Sequence, residues 1–145
     1  MCTKISIDRD TRTLLLKYVK KYGEYARWYQ EERERLLDPS RRAPDGMPKG
    51  SGKGDPTMAA AERLEWLESQ HRTRVVHAVE KAREHIGEDF CGEAKESIRR
   101  AIWLSCQDGG TYNFEAFAGA VACERRQFYY YKNQFLNEIR VELGI

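Results

Sequence analysis

Apolar residues recur at steps of three and four along most of this chain, and that spacing restricts the fold more than any other feature. Near the start it places Leu15, Val19 and Tyr22 on one side of a helix. A near-heptad series follows: Ala60, Leu64, Leu67, His71, Val75, Ala78, Ala82 and Ile86. Since no segment alternates apolar and polar residues as a half-buried strand does, the sequence predicts an all-α fold.

Pattern breakers divide the first 86 residues into two helices. The first runs from about Asp8 to Asp38, and Pro39 stops it. Residues 39–54 are rich in Pro and Gly and nearly free of large apolar groups, which predicts a flexible loop. Asp55-Pro56 then starts a second helix that continues to about Ile86. Because its near-heptad spacing suits packing on another long helix, residues 1–86 are predicted to form an antiparallel helical hairpin.

The rest of the chain, residues 88–145, predicts a small helical domain. A helix from about Gly92 to Gln107 ends at Asp108-Gly109-Gly110. Asn113 then caps a short helix that extends to about Val121, and Ala122-Cys123 makes a turn. A longer helix begins near Glu124 and ends before Gly144.

A short helix, a tight turn and a longer helix at this spacing predict a helix-turn-helix bundle. Ala118 is expected to be the small residue where the two helices touch. The expected inner seam consists of Phe117, Val121, Cys123, Phe128 and Tyr131.

The last helix separates its residues into two faces. Phe128, Tyr131 and Phe135 fall on one side, which is expected to be buried. The opposite side carries Arg, Tyr and Asn, which suit guanine, phosphate and adenine respectively. The predicted DNA-binding residues are Arg125, Arg126, Tyr129, Tyr130, Lys132, Asn133, Asn137 and Arg140. The loop adds four bases as expected phosphate contacts: Arg41, Arg42, Lys49 and Lys53.

Charge and composition limit the other classes of function. The net charge is only +2, so affinity for DNA must come from local placement of Lys and Arg. The four cysteines form no C-x-x-C pair, and the three histidines have no partner at ligand spacing, so no metal or cofactor is expected. No catalytic constellation stands out, and the Gly-rich stretch at residues 50–54 has Gly54 after Lys53, where a phosphate-binding loop needs Ser or Thr. The chain is therefore predicted not to be an enzyme.

Two blocks of the sequence resemble a known family, the phage late-operon transcription regulators of the RinA/ArpU kind. One block is Leu36 to Thr57, with Leu-Leu-Asp-Pro-Ser, a Gly-rich loop and Gly-Asp-Pro-Thr. The other runs from Phe128-Tyr129-Tyr130-Tyr131-Lys132 to Gly144. The resemblance implies a sigma-factor-like helix-turn-helix and activation of phage packaging and structural genes. It also implies a location in the cytoplasm of a bacterial host.

The sequence thus predicts a regulator that binds double-stranded DNA sequence-specifically and activates transcription. The hairpin is expected to form a homodimer or to contact host RNA polymerase. No membrane partner is expected, since no stretch approaches the ~20 apolar residues that span a bilayer. Two alternatives stay open: a small-terminase-like DNA-packaging adaptor and a helical module that only binds proteins. Residues 111–145 carry as many acids as bases, which fits a simple solvated face as well.

Overall fold

The computed structural model describes residues 6–37 and 56–145. Within these ranges every regular element is helical, which confirms the all-α prediction. The predicted loop contacts Arg41, Arg42, Lys49 and Lys53 lie outside the described residues. The elements are α1 (Arg9–Leu37), α2 (Pro56–Ser69), α3 (His71–Glu84), α4 (Gly92–Gln107), a 3₁₀ turn (Phe114–Phe117) and α5 (Arg125–Leu143).

The segment expected to be one helix up to Ile86 is two helices, α2 and α3. They separate at Gln70, whose backbone is extended, with φ −70° and ψ 143°. His71, expected in the apolar seam, is exposed, while Val75 and Val76 are both buried. No Pro or Gly marks this break. The break at Gln70 allows α3 to change direction. The adjacent residues Val75 and Val76 can then both be buried, whereas a single straight helix with one apolar stripe would leave one of them exposed.

The path of α3 across α1 differs from a simple antiparallel pairing. The His71 ring lies 5.4 Å from the Tyr18 ring, whereas His77 lies 5.4 Å from Tyr29, eleven residues further along α1. Glu80 then accepts a hydrogen bond of 2.9 Å from Tyr22. In an antiparallel pair the partner position would move steadily back along α1 as α3 advances. The contacts indicate instead that α3 crosses α1.

Helix α5 lies at the centre of the molecule, packed against α3, α4 and α1. Its buried positions include the neighbours Tyr131 and Lys132, and again Phe135 and Leu136. The buried arc is therefore wider than the single aromatic stripe that the sequence indicates. One hydrophobic cluster joins residues of α1, α3, α4 and α5, so the two predicted segments share a core.

Candidate nucleic-acid interface

The beginning of α5 stands on a cluster of aromatic rings. Phe128 is fully buried, and the Phe114 and Phe117 rings of the 3₁₀ turn lie 5.6 and 6.4 Å from it. The side chain of Asn113 accepts a hydrogen bond of 3.1 Å from the Ala116 amide, so the predicted cap is confirmed. Because these contacts fix the 3₁₀ turn on α5, the first turn of α5 has a rigid base.

The first helix of the expected helix-turn-helix is much shorter than predicted. Between α4 and α5 only Phe114–Phe117 is helical, as a single 3₁₀ turn, and residues 118–123 form turns and bends. Ala118 is exposed, so the expectation that it lies between two helices is wrong. The physical reason is that Ala118-Gly119-Ala120 offers no large side chain to bury, and Gly119 adopts a positive φ of 87°. Of the expected seam, Val121, Phe128 and Tyr131 are buried.

Two arginines project from the first turn of α5. Arg125 and Arg126 are both exposed. The Arg125 guanidinium lies 5.9 Å from the centre of the Tyr129 ring, and its Nη1 lies 3.2 Å from Oε1 of Glu115. Among the described residues Arg126 has no ion-pair partner. Glu124 makes no capping bond with its side chain, so it leaves the amides of the first turn uncapped.

The two tyrosines of the predicted face are half-buried. Both Tyr129 and Tyr130 pack against the hydrophobic core. The Tyr129 hydroxyl oxygen accepts a hydrogen bond of 3.4 Å from the Phe114 amide, which ties α5 to the 3₁₀ turn. The Tyr130 ring packs edge-on against Tyr131, with 5.8 Å between centroids. Tyr129 therefore supports Arg125, whereas Tyr130 packs on the core, and only part of each ring is at the surface.

Lys132 is not a surface residue, and the prediction that it contacts DNA is wrong. Only 9% of it is exposed, and its Nζ donates to the Ser105 hydroxyl oxygen at 3.0 Å and to the Ser105 carbonyl oxygen at 3.3 Å. Burial lowers the pKa of Lys132, and nearby Arg12 adds to this effect. The wide buried arc of α5 takes Lys132 inside because α4 packs against that side.

The second half of the predicted face is occupied by contacts within the protein. Both terminal nitrogens of Arg12 donate to Oδ1 of Asn133, at 2.6 and 2.7 Å. Arg140 donates to Oδ1 of Asn137 at 3.1 Å and to the Ile145 carbonyl oxygen at 3.1 Å. All three predicted residues are half-buried. The expected continuous reading edge therefore narrows to the first turn of α5.

Other basic side chains lie exposed on α1. Arg9, Lys17 and Lys20 are all on its solvent side, where they could contact phosphates. Arg12, also on α1, is half-buried and donates to Asn133 instead. Sequence reasoning left out Glu115 as a member of the site. No local signal marks Glu115, because its contact with Arg125 depends on how the 3₁₀ turn packs against α5.

Apart from the candidate interface, a concave surface lies between α1, α3 and α4, with a volume of about 420 Å³. Arg99 donates there to the backbone carbonyl oxygens of Glu84 and Ile86. Arg83 lies 4.3 Å from the centre of the Trp103 ring. The lining mixes arginines with glutamates, so its charge favours no single class of ligand. Its clearest role is to hold the end of α3 against α4.

The described residues offer neither a group of metal-binding side chains nor a membrane-spanning helix. They contain no group of three or more His, Cys, Asp or Glu side chains placed to hold a metal ion. No helix in the described ranges is long and apolar enough to cross a membrane. Comparison with known proteins finds no family model, no curated protein and no solved structure that matches this chain.

Proposed function

We propose that this protein binds double-stranded DNA as a sequence-specific transcription regulator, with the first turn of α5 entering the major groove. The observation that carries the proposal is the exposure of Arg125 and Arg126 in the first turn of a helix that is anchored by the fully buried Phe128. In DNA-binding helices of this kind the residues at the start of the helix contact base edges. Arginine is suited to this role because its planar fork pairs with guanine O6 and N7.

Two further features support contact with the phosphate backbone. The uncapped amides at the start of α5 point outward with the positive end of the helix dipole, which attracts anions. Helix α1, which packs against α5, carries the exposed basic side chains of Arg9, Lys17 and Lys20. Since the net charge is only +2, such local groups must supply the electrostatic part of binding.

Within this class we propose the role that the resemblance to phage late-operon regulators implies, activation of late genes through contact with host RNA polymerase. Self-association as a homodimer belongs to the same proposal. The internal use of Asn133, Asn137 and Arg140 narrows the base-reading surface to about one helical turn. A short reading surface favours a dimeric site with two half-sites, because two copies double the number of bases read.

The direct test begins with selection of preferred duplexes from a random pool by the wild-type protein. Fluorescence anisotropy then compares wild type with an Arg125→Ala/Arg126→Ala variant. We expect the double variant to bind the selected duplex at least tenfold more weakly, since a bidentate arginine contributes roughly 1–3 kcal/mol of discrimination and an arginine on phosphate adds affinity of its own.

A matched control removes two exposed arginines at the far end of α1, Arg27→Ala/Arg33→Ala. It loses the same charge and should change affinity less than threefold. Equal affinity of wild type and the Arg125/Arg126 variant would overturn the proposed interface. Binding by wild type should also weaken as salt rises, because phosphate contacts release counterions. No salt-dependent binding to any duplex would favour a module that only binds proteins.

A further inference from the structure

We infer that Glu115 is a specificity-determining residue of this interface, which holds Arg125 for a guanine beside a cytosine and keeps it from phosphate. The inference rests on the proposed function. Glu115 lies in the 3₁₀ turn and Arg125 in α5, so the pair joins two elements rather than two positions of one helix. Their side chains meet at 3.2 Å while 56% of Glu115 and 68% of Arg125 stay exposed.

Contacts with neighbouring residues restrain both Glu115 and Arg125. The turn that carries Glu115 is capped by Asn113 and packed on Phe128 through Phe114. The Arg125 guanidinium lies over the Tyr129 ring. The Tyr129 hydroxyl oxygen in turn accepts the Phe114 amide. The Glu115–Arg125 ion pair is therefore supported by one cluster of aromatic rings. This support reduces the freedom of two side chains that would otherwise sample many rotamers.

The chemistry of the pair distinguishes bases from phosphate. The contact with Glu115 uses Nη1 of Arg125, and the remaining N–H groups of the guanidinium can donate to guanine O6 and N7. A carboxylate beside that guanine can accept the N4 amino group of a cytosine. A phosphate that approached Arg125 would instead meet a negative charge within about one ion-pair distance, which opposes binding. The Glu115–Arg125 pair thus favours contact of Arg125 with a G·C step over contact with the phosphate backbone.

Arg126 offers an internal comparison. It is exposed on the same turn, yet among the described residues no carboxylate pairs with it. It is consequently free to contact phosphate, and its loss should weaken binding to all duplexes alike. Arg125 should account for preference at one base pair, and that preference should depend on Glu115.

The experiment measures dissociation constants by anisotropy for three duplexes: the selected site, the same site with the Arg125-dependent G·C pair changed to A·T, and a duplex of unrelated sequence. That pair is identified as the position at which Arg125→Ala loses its preference. Wild type should discriminate the first two duplexes by roughly 5- to 100-fold. Glu115→Gln should reduce this ratio to less than about threefold and bind the unrelated duplex several times more tightly. Its plot of log affinity against log salt should steepen by about one phosphate contact.

Glu124→Gln is the matched control, since Glu124 is exposed at the cap of α5 and makes no side-chain capping bond. It removes the same charge one residue from Arg125, so it should shift affinity for all three duplexes together and leave the ratio unchanged. Arg125→Lys keeps the positive charge but cannot pair bidentately, and it should lose discrimination while retaining unspecific affinity. Thermal unfolding of Glu115→Gln should match wild type, since exposed ion pairs contribute little to stability.

The outcomes separate the two proposals. If wild type binds duplexes and Glu115→Gln discriminates as well as wild type does, the role of Glu115 is wrong and the DNA-binding function stands. The same conclusion follows if Glu115→Gln and Glu124→Gln behave alike. If wild type binds no duplex in a salt-dependent manner, the proposed function fails and the role of Glu115 fails with it.

Discussion

Arg12 of α1 holds Asn133 of α5 through two hydrogen bonds to one oxygen, at 2.6 and 2.7 Å, across a sequence separation of 121 residues. Both side chains are half-buried. The contact has two consequences: it joins the first and last helices of the fold, and it withdraws an asparagine from the surface that the sequence assigns to DNA. One long-range polar contact thus affects both stability and the extent of the candidate site.

A double-mutant cycle on Arg12 and Asn133 tests the first consequence. Arg12→Ala should lower the free energy of unfolding by about 1–2 kcal/mol, because it removes a charge-assisted hydrogen-bond donor from a partly buried acceptor. Asn133→Ala should have a similar effect, and the double variant should cost clearly less than the sum. Urea denaturation measures all three. Arg9→Ala, on the exposed side of α1, is the control; strictly additive effects would show that the two side chains do not interact.

The Lys132→Met variant tests whether Lys132 is a buried residue or part of the DNA-binding surface. Methionine fills a similar volume without the charge, so stability at neutral pH should stay within about 1 kcal/mol of wild type. Burial lowers the pKa of Lys132, so in the alkaline range the unfolded chain holds more protons than the folded one. Wild type should therefore gain stability relative to Lys132→Met as pH rises from 7 toward the ordinary lysine range. DNA affinity should not change.

Cys106 determines the control. Burial raises its pKa to about 12, which makes both proteins less stable in alkali, and Lys132 acts on that pKa, so wild type and Lys132→Met are also compared in the Cys106→Ala background. Denaturation curves at several pH values give the difference in stability. A difference that does not vary with pH would mean that Lys132 is well solvated. A tenfold loss of DNA affinity in Lys132→Met would restore it to the interface.

Gly87 should not tolerate a side chain. Its φ is +75°, and a Cβ built there would lie 2.6 Å from Cγ2 of Ile98, a fully buried β-branched residue that cannot easily turn away. Gly87→Ala should lower the free energy of unfolding by about 2–4 kcal/mol, from backbone strain and overpacking together. Gly23→Ala is the opposite case, since nothing lies within 4 Å of its Cβ position in α1.

Because Gly23 lies inside a helix, its replacement by alanine should raise the free energy of unfolding by about 0.5–1 kcal/mol. Thermal or urea unfolding of the two variants gives the comparison. Equal effects of the two substitutions would contradict the close approach of α4 to Gly87.

Neighbouring arginines on α4 should differ sharply in their effect on stability. Arg99 donates to the carbonyl oxygens of Glu84 and Ile86, which the end of α3 leaves without helical partners. Arg100 is exposed, with no hydrogen bond among the described residues. Arg99→Ala should cost about 1–2 kcal/mol and Arg100→Ala less than about 0.5 kcal/mol. Urea denaturation checks both; a similar cost for the two would show that side-chain packing, rather than capping, is lost.

Local signals predicted the helix ends well. Asn113 caps the 3₁₀ turn as expected, because a short polar side chain beside its own backbone amides needs no distant partner. Gly144 ends α5 in the left-handed conformation, with φ 70°, as a glycine in that position indicates. The buried positions Phe128, Tyr131 and Phe135 also follow from periodicity alone.

The errors share a physical cause, which is dependence on residues far away in the chain. The break at Gln70 carries no local breaker and follows from how α3 packs across α1. The short helix expected up to Val121 reduces to one 3₁₀ turn, because Ala118-Gly119-Ala120 has no large side chain to bury. Lys132 is the exception, because it lies four residues after Phe128 and three before Phe135 and so shares their face of α5; this local spacing already indicated the burial that α4 completes.

The amino-acid order by itself determined that this chain is helical, where most of its helices start and stop, and which aromatic residues turn inward, since these depend on neighbours within a few positions. Tertiary structure alone decided how much of α5 reaches solvent. That outcome depends on the packing of α1 and α4 against its flanks, which leaves Arg125 and Arg126 outside and takes Lys132 and Asn133 into internal contacts.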